Sequence, residues 1–135
     1  MNAVDTNVLL YARDPRYPEK QATALRLVET LVDGVLLWQV ACEYLAASRK
    51  LEPLGCSLDS AYRDIVEFRT SWSLLLPKRG VLDRAIGLMS RFSLSWWDAI
   101  LVGACLEGDV RRLYTEDFGA YSHIDTLEIV NPFER

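Results

Sequence analysis

Histidine is nearly absent from this chain: His123 is the only one among 135 residues. It is read in a polar turn between two strands, so triads of the Ser-His-Asp or Cys-His kind have little to build on. Cysteine is scarce too. Cys42, Cys56 and Cys105 are odd in number and lack CxxC or CxH spacing, which excludes a disulfide framework and a zinc knuckle. Cys42 and Cys105 stand in apolar runs and are read as small buried hydrophobes. The longest apolar stretch, residues 99–106, is far too short to span a bilayer. The opening Met1-Asn2-Ala3-Val4-Asp5 has neither a basic n-region nor an h-region, so a cytoplasmic protein is expected, with no membrane partner. No internal repeat or linker interrupts the chain, and a single domain over residues 1–135 is expected. The net charge of -4 argues mildly against a basic nucleic-acid coat, although basic patches can be regional.

What is present is ordinary globular composition, half apolar and a quarter charged, with 7 Gly and 5 Pro. Short β-like runs alternate with helical patterns. A very short first strand, residues 3–4, ends at Asp5. Asp5-Thr6-Asn7 caps a helix over 8–13, stopped by Asp14-Pro15. Pro18 reads as a first-turn proline, and Ala22, Leu25, Val28, Leu31 and Val32 recur at helical spacing before Asp33-Gly34. A buried strand is expected over 35–38, then a helix over 39–50 broken by Pro53 and Gly55. Another helix runs from about 57 to 69, a third strand over 72–76, and an amphipathic helix over 81–92. A helix opening at Ser95 is apolar nearly all round until Glu107-Gly108 and should be buried. Strands over 112–115 and 127–130 finish the chain. Strands separated by helices predict a three-layer α/β/α fold with a mostly parallel sheet of four to five strands. Sites in such sheets lie beyond the carboxyl ends of the strands.

Four acids fall at that edge. Asp5 and Asp117 follow the first and fourth strands, while Glu43 and Asp98 sit in the first turns of helices that begin there. Each has a bland alternative: Asp5 as a helix N-cap, Asp98 as half of a capping box with Ser95, and Asp117 as a turn residue. Glu43 lies within Val40-Ala41-Cys42-Glu43-Tyr44-Leu45-Ala46-Ala47, and an unpaired carboxylate in apolar surroundings requires compensation. Four converging carboxylates repel unless a cation joins them, and oxygen donors without His or Cys select Mg²⁺ or Mn²⁺. With no cofactor motif and no protein nucleophile, the chemistry that suits such a site is metal-assisted phosphodiester hydrolysis. A second ion, if present, would stand about 4 Å from the first.

Asp5-Thr6-Asn7-Val8-Leu9-Leu10-Tyr11-Ala12 resembles the opening motif of PIN domains, VapC-type toxins in particular. Residues 40–48 resemble their second motif, 97–104 the third, and Tyr114-Thr115-Glu116-Asp117-Phe118 the fourth; Ile129-Val130-Asn131-Pro132-Phe133 is a typical ending. The likeness spans essentially the whole chain, with only the strand before Asp5 unusually short. It implies a Mg²⁺- or Mn²⁺-dependent endoribonuclease, a homodimer held inactive by a small antitoxin, with DNA reached only through that antitoxin. It further implies Asp5 and Asp98 as central metal ligands, Glu43 and Asp117 as the rest of a catalytic quartet, and Asn7 and Thr115 as supporting polar groups. Glu116 is read as an extra, solvent-facing acid, a register exchange with Asp117 being left open.

Arg13, Arg16, Lys78 and Arg79 are candidate RNA contacts, with Lys20, Arg49 and Lys50 behind them. Trp96 and Trp97 are candidates for base stacking, against a core role for at least one. An antitoxin arginine or lysine is expected to occupy the acidic pocket. Other classes fit less well. A phospho-receiver domain needs a lysine after its last site strand, and here the final lysine is Lys78; a haloacid-dehalogenase-like phosphatase needs DxDxT where this chain has Asp5-Thr6-Asn7-Val8-Leu9. The alternatives kept are a stand-alone PIN ribonuclease and an inert PIN-like binding module. Which RNA is cut is not legible.

Overall fold

A short central strand with a parallel neighbour on each side organises the molecule, whose computed structural model describes residues 1–134. Strand β1 (Asn2–Val4) pairs with β2 (Gly34–Leu37) on one side and β4 (Arg112–Tyr114) on the other. Beyond β2 lies β3 (Ser73–Leu75); beyond β4 lies β6 (Leu127–Val130), then the antiparallel β5 (His123–Ile124). The sheet order is β3-β2-β1-β4-β6-β5.

Helices α1 (Thr6–Tyr11) and α2 (Pro18–Thr30) connect β1 to β2, and α3 (Trp38–Ala47) and α4 (Leu58–Ser71) connect β2 to β3. The chain then returns to the other side of β1 through α5 (Val81–Arg91) and α6 (Trp96–Glu107). Parallel crossovers are right-handed, so reversing direction at β1 moves the connecting helices to the opposite face. The result is the expected α/β/α sandwich with a mostly parallel sheet. Because the strand order reverses between β1 and β4, a crevice opens at their carboxyl ends.

The core follows from strand and helix periodicity. Val35, Leu36 and Leu37 are all buried, as a strand covered on both faces requires. Val8 and Leu9 of α1, Val40 and Tyr44 of α3, and Val102 and Cys105 of α6 close on the sheet. Each fully buried large aliphatic side chain contributes about 1.5–3 kcal/mol. Ser57 caps α4 by accepting from the Ser60 N–H at 3.1 Å. Gly55 ends the 3₁₀ segment Ser48–Leu54 at φ +100°, a conformation glycine reaches without strain.

Several boundaries differ from expectation. The first helix ends at Tyr11, and Trp38 opens α3 instead of closing β2. Trp72 lies outside β3; it is buried after α4 and stacks on Phe68 at 5.1 Å between ring centroids. The two-residue β5, which contains His123, is a sixth strand too short for any periodicity to announce. Cys56 and Cys105 are buried, whereas Cys42 is exposed, because α3 turns Ala41 and Tyr44 inward and Cys42 outward. Among the described residues no helix is long and apolar enough to cross a membrane.

Candidate active site

The crevice beside β1 and β4 is a cleft of about 510 Å³ whose walls include Asp5, Glu43, Asp98 and Asp117. All four expected acids therefore share one cavity. Asp5 arrives first, as the residue directly after β1. Its backbone N–H extends the β1–β4 ladder by donating to the Tyr114 carbonyl at 2.8 Å. Its side chain caps α1, accepting from the Thr6 N–H at 2.7 Å, while the Thr115 hydroxyl donates to its other oxygen at 2.8 Å. The same carboxylate therefore caps α1 and lines the cleft.

Asp5 is only 6% exposed. Burial pushes its pKa up to about 6; the hydrogen bonds from Thr115 and Thr6 oppose this, and the charges of Asp117 and Glu43 add to it. Behind it the Cys105 thiol, wholly buried, has its own pKa raised by desolvation and by the Asp5 charge. Asp98 sits in the first turn of α6, where the Ser95 hydroxyl accepts from its N–H at 3.1 Å. Burial again is the main cause of an upward shift for Asp98, opposed by Ser95 and reinforced by Asp117.

Asn7 and Thr115 tie the acids together across 108 residues of sequence. The Asn7 amide donates to Thr115 Oγ1 at 3.3 Å and to Asp117 Oδ2 at 3.1 Å, and the Asp117 N–H donates to Thr115 Oγ1 at 3.1 Å. One buried hydroxyl thereby fixes the Asp5 carboxylate and the Asp117 backbone, while Asn7 holds the Asp117 carboxylate. Glu116 is not solvent-facing. It accepts from Tyr11 Oη at 2.6 Å and pairs with Lys20 at 2.9 Å, which turns it away from the cleft and leaves Asp117 as the fourth acid.

Glu43 needs a correction of another kind. Its apolar neighbours in sequence point into the core, whereas Gln39, Glu43 and Lys50, spaced by four and seven, face the cleft. Glu43 is exposed, with the Gln39 amide donating to it at 2.7 Å, so its surroundings do not demand a cation. The carboxylate that lacks compensation is Asp5. Gln39 was not foreseen, though its i, i+4 spacing to Glu43 was a usable signal.

Of the expected RNA contacts, Arg13 is committed elsewhere: it clasps both oxygens of Asp64, which also accepts from Tyr44 Oη at 2.6 Å. Arg16 pairs with Asp14 at 2.8 Å within its own turn, and Lys20 with Glu116. Lys50 lines the cleft, while Lys78 and Arg79 line an adjoining groove; none of the three forms a side-chain hydrogen bond or ion pair among the described residues.

One feature sets the cleft apart. Thr6 Oγ1, Asn7 Oδ1 and Gln39 Oε1 are buried side-chain atoms with no hydrogen-bond partner, and all three residues line this cleft. Native structures rarely leave such atoms unsatisfied, and an ordered water or a bound ion is a common partner. Among the described residues no three Asp, Glu, His or Cys side chains form by themselves a group that could hold a metal ion. A Mg²⁺ site does not need one, since this ion keeps several waters and uses one or two carboxylates together with substrate phosphate. The donor set, the desolvated Asp5 and the unpartnered acceptors fit a hard divalent cation.

Fold and cleft together define a class: α/β proteins with an oxygen-lined acidic pocket at the switch point of a mostly parallel sheet. Within that class the chain belongs to the PIN domain family, whose pattern it matches over residues 3–126. No curated protein matches it. Solved structures share the fold at low identity. A toxin–antitoxin complex from Klebsiella pneumoniae superposes with a TM-score of 0.73 at 16% identity, covering 100% of both chains. Mycobacterium tuberculosis VapC20, a toxin that cleaves the sarcin-ricin loop, gives 0.67 at 15% identity over 95% of this chain and 99% of its own. VapBC-1 from nontypeable Haemophilus influenzae gives 0.68 at 14% identity over 98% of each chain. The protein has the fold of VapC-type PIN proteins.

Proposed function

We propose that this protein is a Mg²⁺- or Mn²⁺-dependent endoribonuclease, the toxin of a VapBC-type pair. The observation that carries the reading is the single cleft in which four carboxylates meet three residues with unpartnered buried polar atoms. When bound, a divalent ion supplies a water of lowered pKa and positive charge beside the scissile phosphate. Asp5 and Asp98 would hold it, with Glu43 and Asp117 completing the acidic walls. Thr115 fixes Asp5 by donating to Oδ2, and Asn7 fixes Asp117, so both carboxylates are oriented before substrate arrives. Lys50, at the same cleft, is placed to meet a phosphate. No side chain need act as a nucleophile.

A cognate antitoxin is part of the proposal, supported by the toxin–antitoxin assemblies that share the fold. An antitoxin arginine or lysine would neutralise the carboxylates. A homodimer is supported by the exposed apolar pair Ile86 and Met89 along α5. The test is direct: antitoxin-free protein with Mn²⁺ should cut RNA, chelation should abolish this, and Asp5→Asn and Asp98→Asn should each lower the cleavage rate about a thousandfold. Retained cleavage in both variants would refute the site.

A further inference from the structure

We propose that the acidic cleft is the middle of a track for an unpaired RNA strand, in which Trp97 stacks a base next to the scissile phosphate. The inference rests on the ribonuclease reading and adds the residues that grip the strand. Three depressions adjoin one another. The central one holds the acids. A groove of about 430 Å³ shares Gln39 and Trp97 with it and adds Trp38, Lys78 and Arg79 in otherwise apolar walls. On another side a hollow of about 280 Å³ shares Asn7, Leu10, Ala47 and Lys50 with the cleft and adds Tyr17. Among the described residues Lys50 is its free cation, since Arg16 is held by Asp14 in the same wall. The acidic centre therefore has a neighbour of aromatic and cationic character at each of two borders.

The aromatic rings are open to a ligand. Trp97 is 67% exposed, Trp38 49% and Tyr17 48%. Trp97 directly precedes Asp98, so a base on its indole would hold the adjoining phosphate close to the carboxylates. Lys78 and Arg79 have no acidic partner among the described residues, and a polyanion would supply one. This charge complementarity, together with walls shared with the acids, favours a nucleic-acid strand over a protein surface as the occupant. Stacking on both borders needs bases whose faces are free, which a continuous duplex does not offer.

The test uses full-length Asp98→Asn protein with a fluorescein-labelled, mixed-sequence single-stranded RNA 12-mer, read by anisotropy. Adding Trp97→Ala should weaken binding about tenfold, the size expected for losing one stacked base, and Trp97→Phe should restore most of it. Tyr17→Ala should weaken binding by a smaller factor, while Tyr62→Ala, which removes an exposed ring outside all three depressions, should bind as the parent does. In the Asp98 background, a duplex of the same sequence should bind more weakly and respond little to Trp97→Ala. With Asp98 intact, Trp97→Ala should also change which positions of a mixed RNA pool are cut.

Unchanged affinity and an unchanged cleavage pattern in Trp97→Ala would overturn the track while leaving the ribonuclease reading standing. Loss of a dimer in sedimentation with cleavage intact would also overturn it, by assigning the groove to a second copy. A protein that neither binds nor cleaves RNA would overturn both.

Discussion

Two carboxylates, Asp5 at the N-cap of α1 and Asp64 on α4, are treated in opposite ways. Asp64 receives a guanidinium fork from Arg13 and a hydroxyl from Tyr44, so its charge is met by the chain's own cation. Asp5 is buried with only two uncharged donors, the Thr6 N–H and the Thr115 hydroxyl, and other acids face it across the cleft. The first arrangement ties the turn after α1 and helix α3 to α4 and serves stability. The second leaves a deficit of positive charge that folding alone does not fill. Groups desolvated in a cleft without an internal counter-charge are where function is to be sought.

The comparison can be broken by titration. The pKa of Asp5 rises from 3.8 to about 6 on folding, so the native state holds its proton more tightly. The contribution of Asp5 to stability is then greatest below about pH 4, falls between pH 4 and 6, and is level above that, the loss reaching about 3 kcal/mol. In chelator, wild type minus Asp5→Asn stability, from urea unfolding at several pH values, should show this slope. The variant should be the more stable protein at pH 7. A flat difference would mean that Asp5 is compensated after all.

A smaller effect is expected from the hydroxyl that links Asp5 to Asn7 and the Asp117 backbone. Thr115→Val keeps the shape but removes the donor to Asp5 and the acceptor for Asn7 and Asp117. Cleavage with Mn²⁺ should drop about 10- to 100-fold. Initial rates on a labelled RNA would measure it, and a rate equal to wild type would show that the carboxylates need no such support. Smallest of all is the change at the satisfied carboxylate. Tyr44→Phe removes one hydrogen bond to Asp64, costing about 1–2 kcal/mol of unfolding free energy, with cleavage unaltered. A loss of activity there would join the two regions into one functional unit.

Much of this is legible in the sequence. The acids were found because the motifs are local: Asp5 follows a strand and precedes a helix, and Asp98 stands three residues after its capping serine. Arg13 was misread because its partner is 51 residues away, and no local pattern announces a distant counter-ion. Glu43 was misread because chain neighbours on a helix are not spatial neighbours; a hundred degrees of turn per residue sends Tyr44 inward and Glu43 to the cleft. The β5 strand escaped notice since a two-residue ladder is defined by its partner.

The order of strands and helices, the three-layer architecture and the four acids were determined by the sequence itself, through alternation, capping residues and short motifs. Tertiary structure decided which acid is desolvated, which is paired and which lines the cleft. It buried Asp5 and turned Glu116 to Lys20, leaving Asp117 to Asn7. Charge compensation depends on distance and solvent access, and both arise only when the β1–β4 crevice closes around side chains drawn from the whole length of the chain.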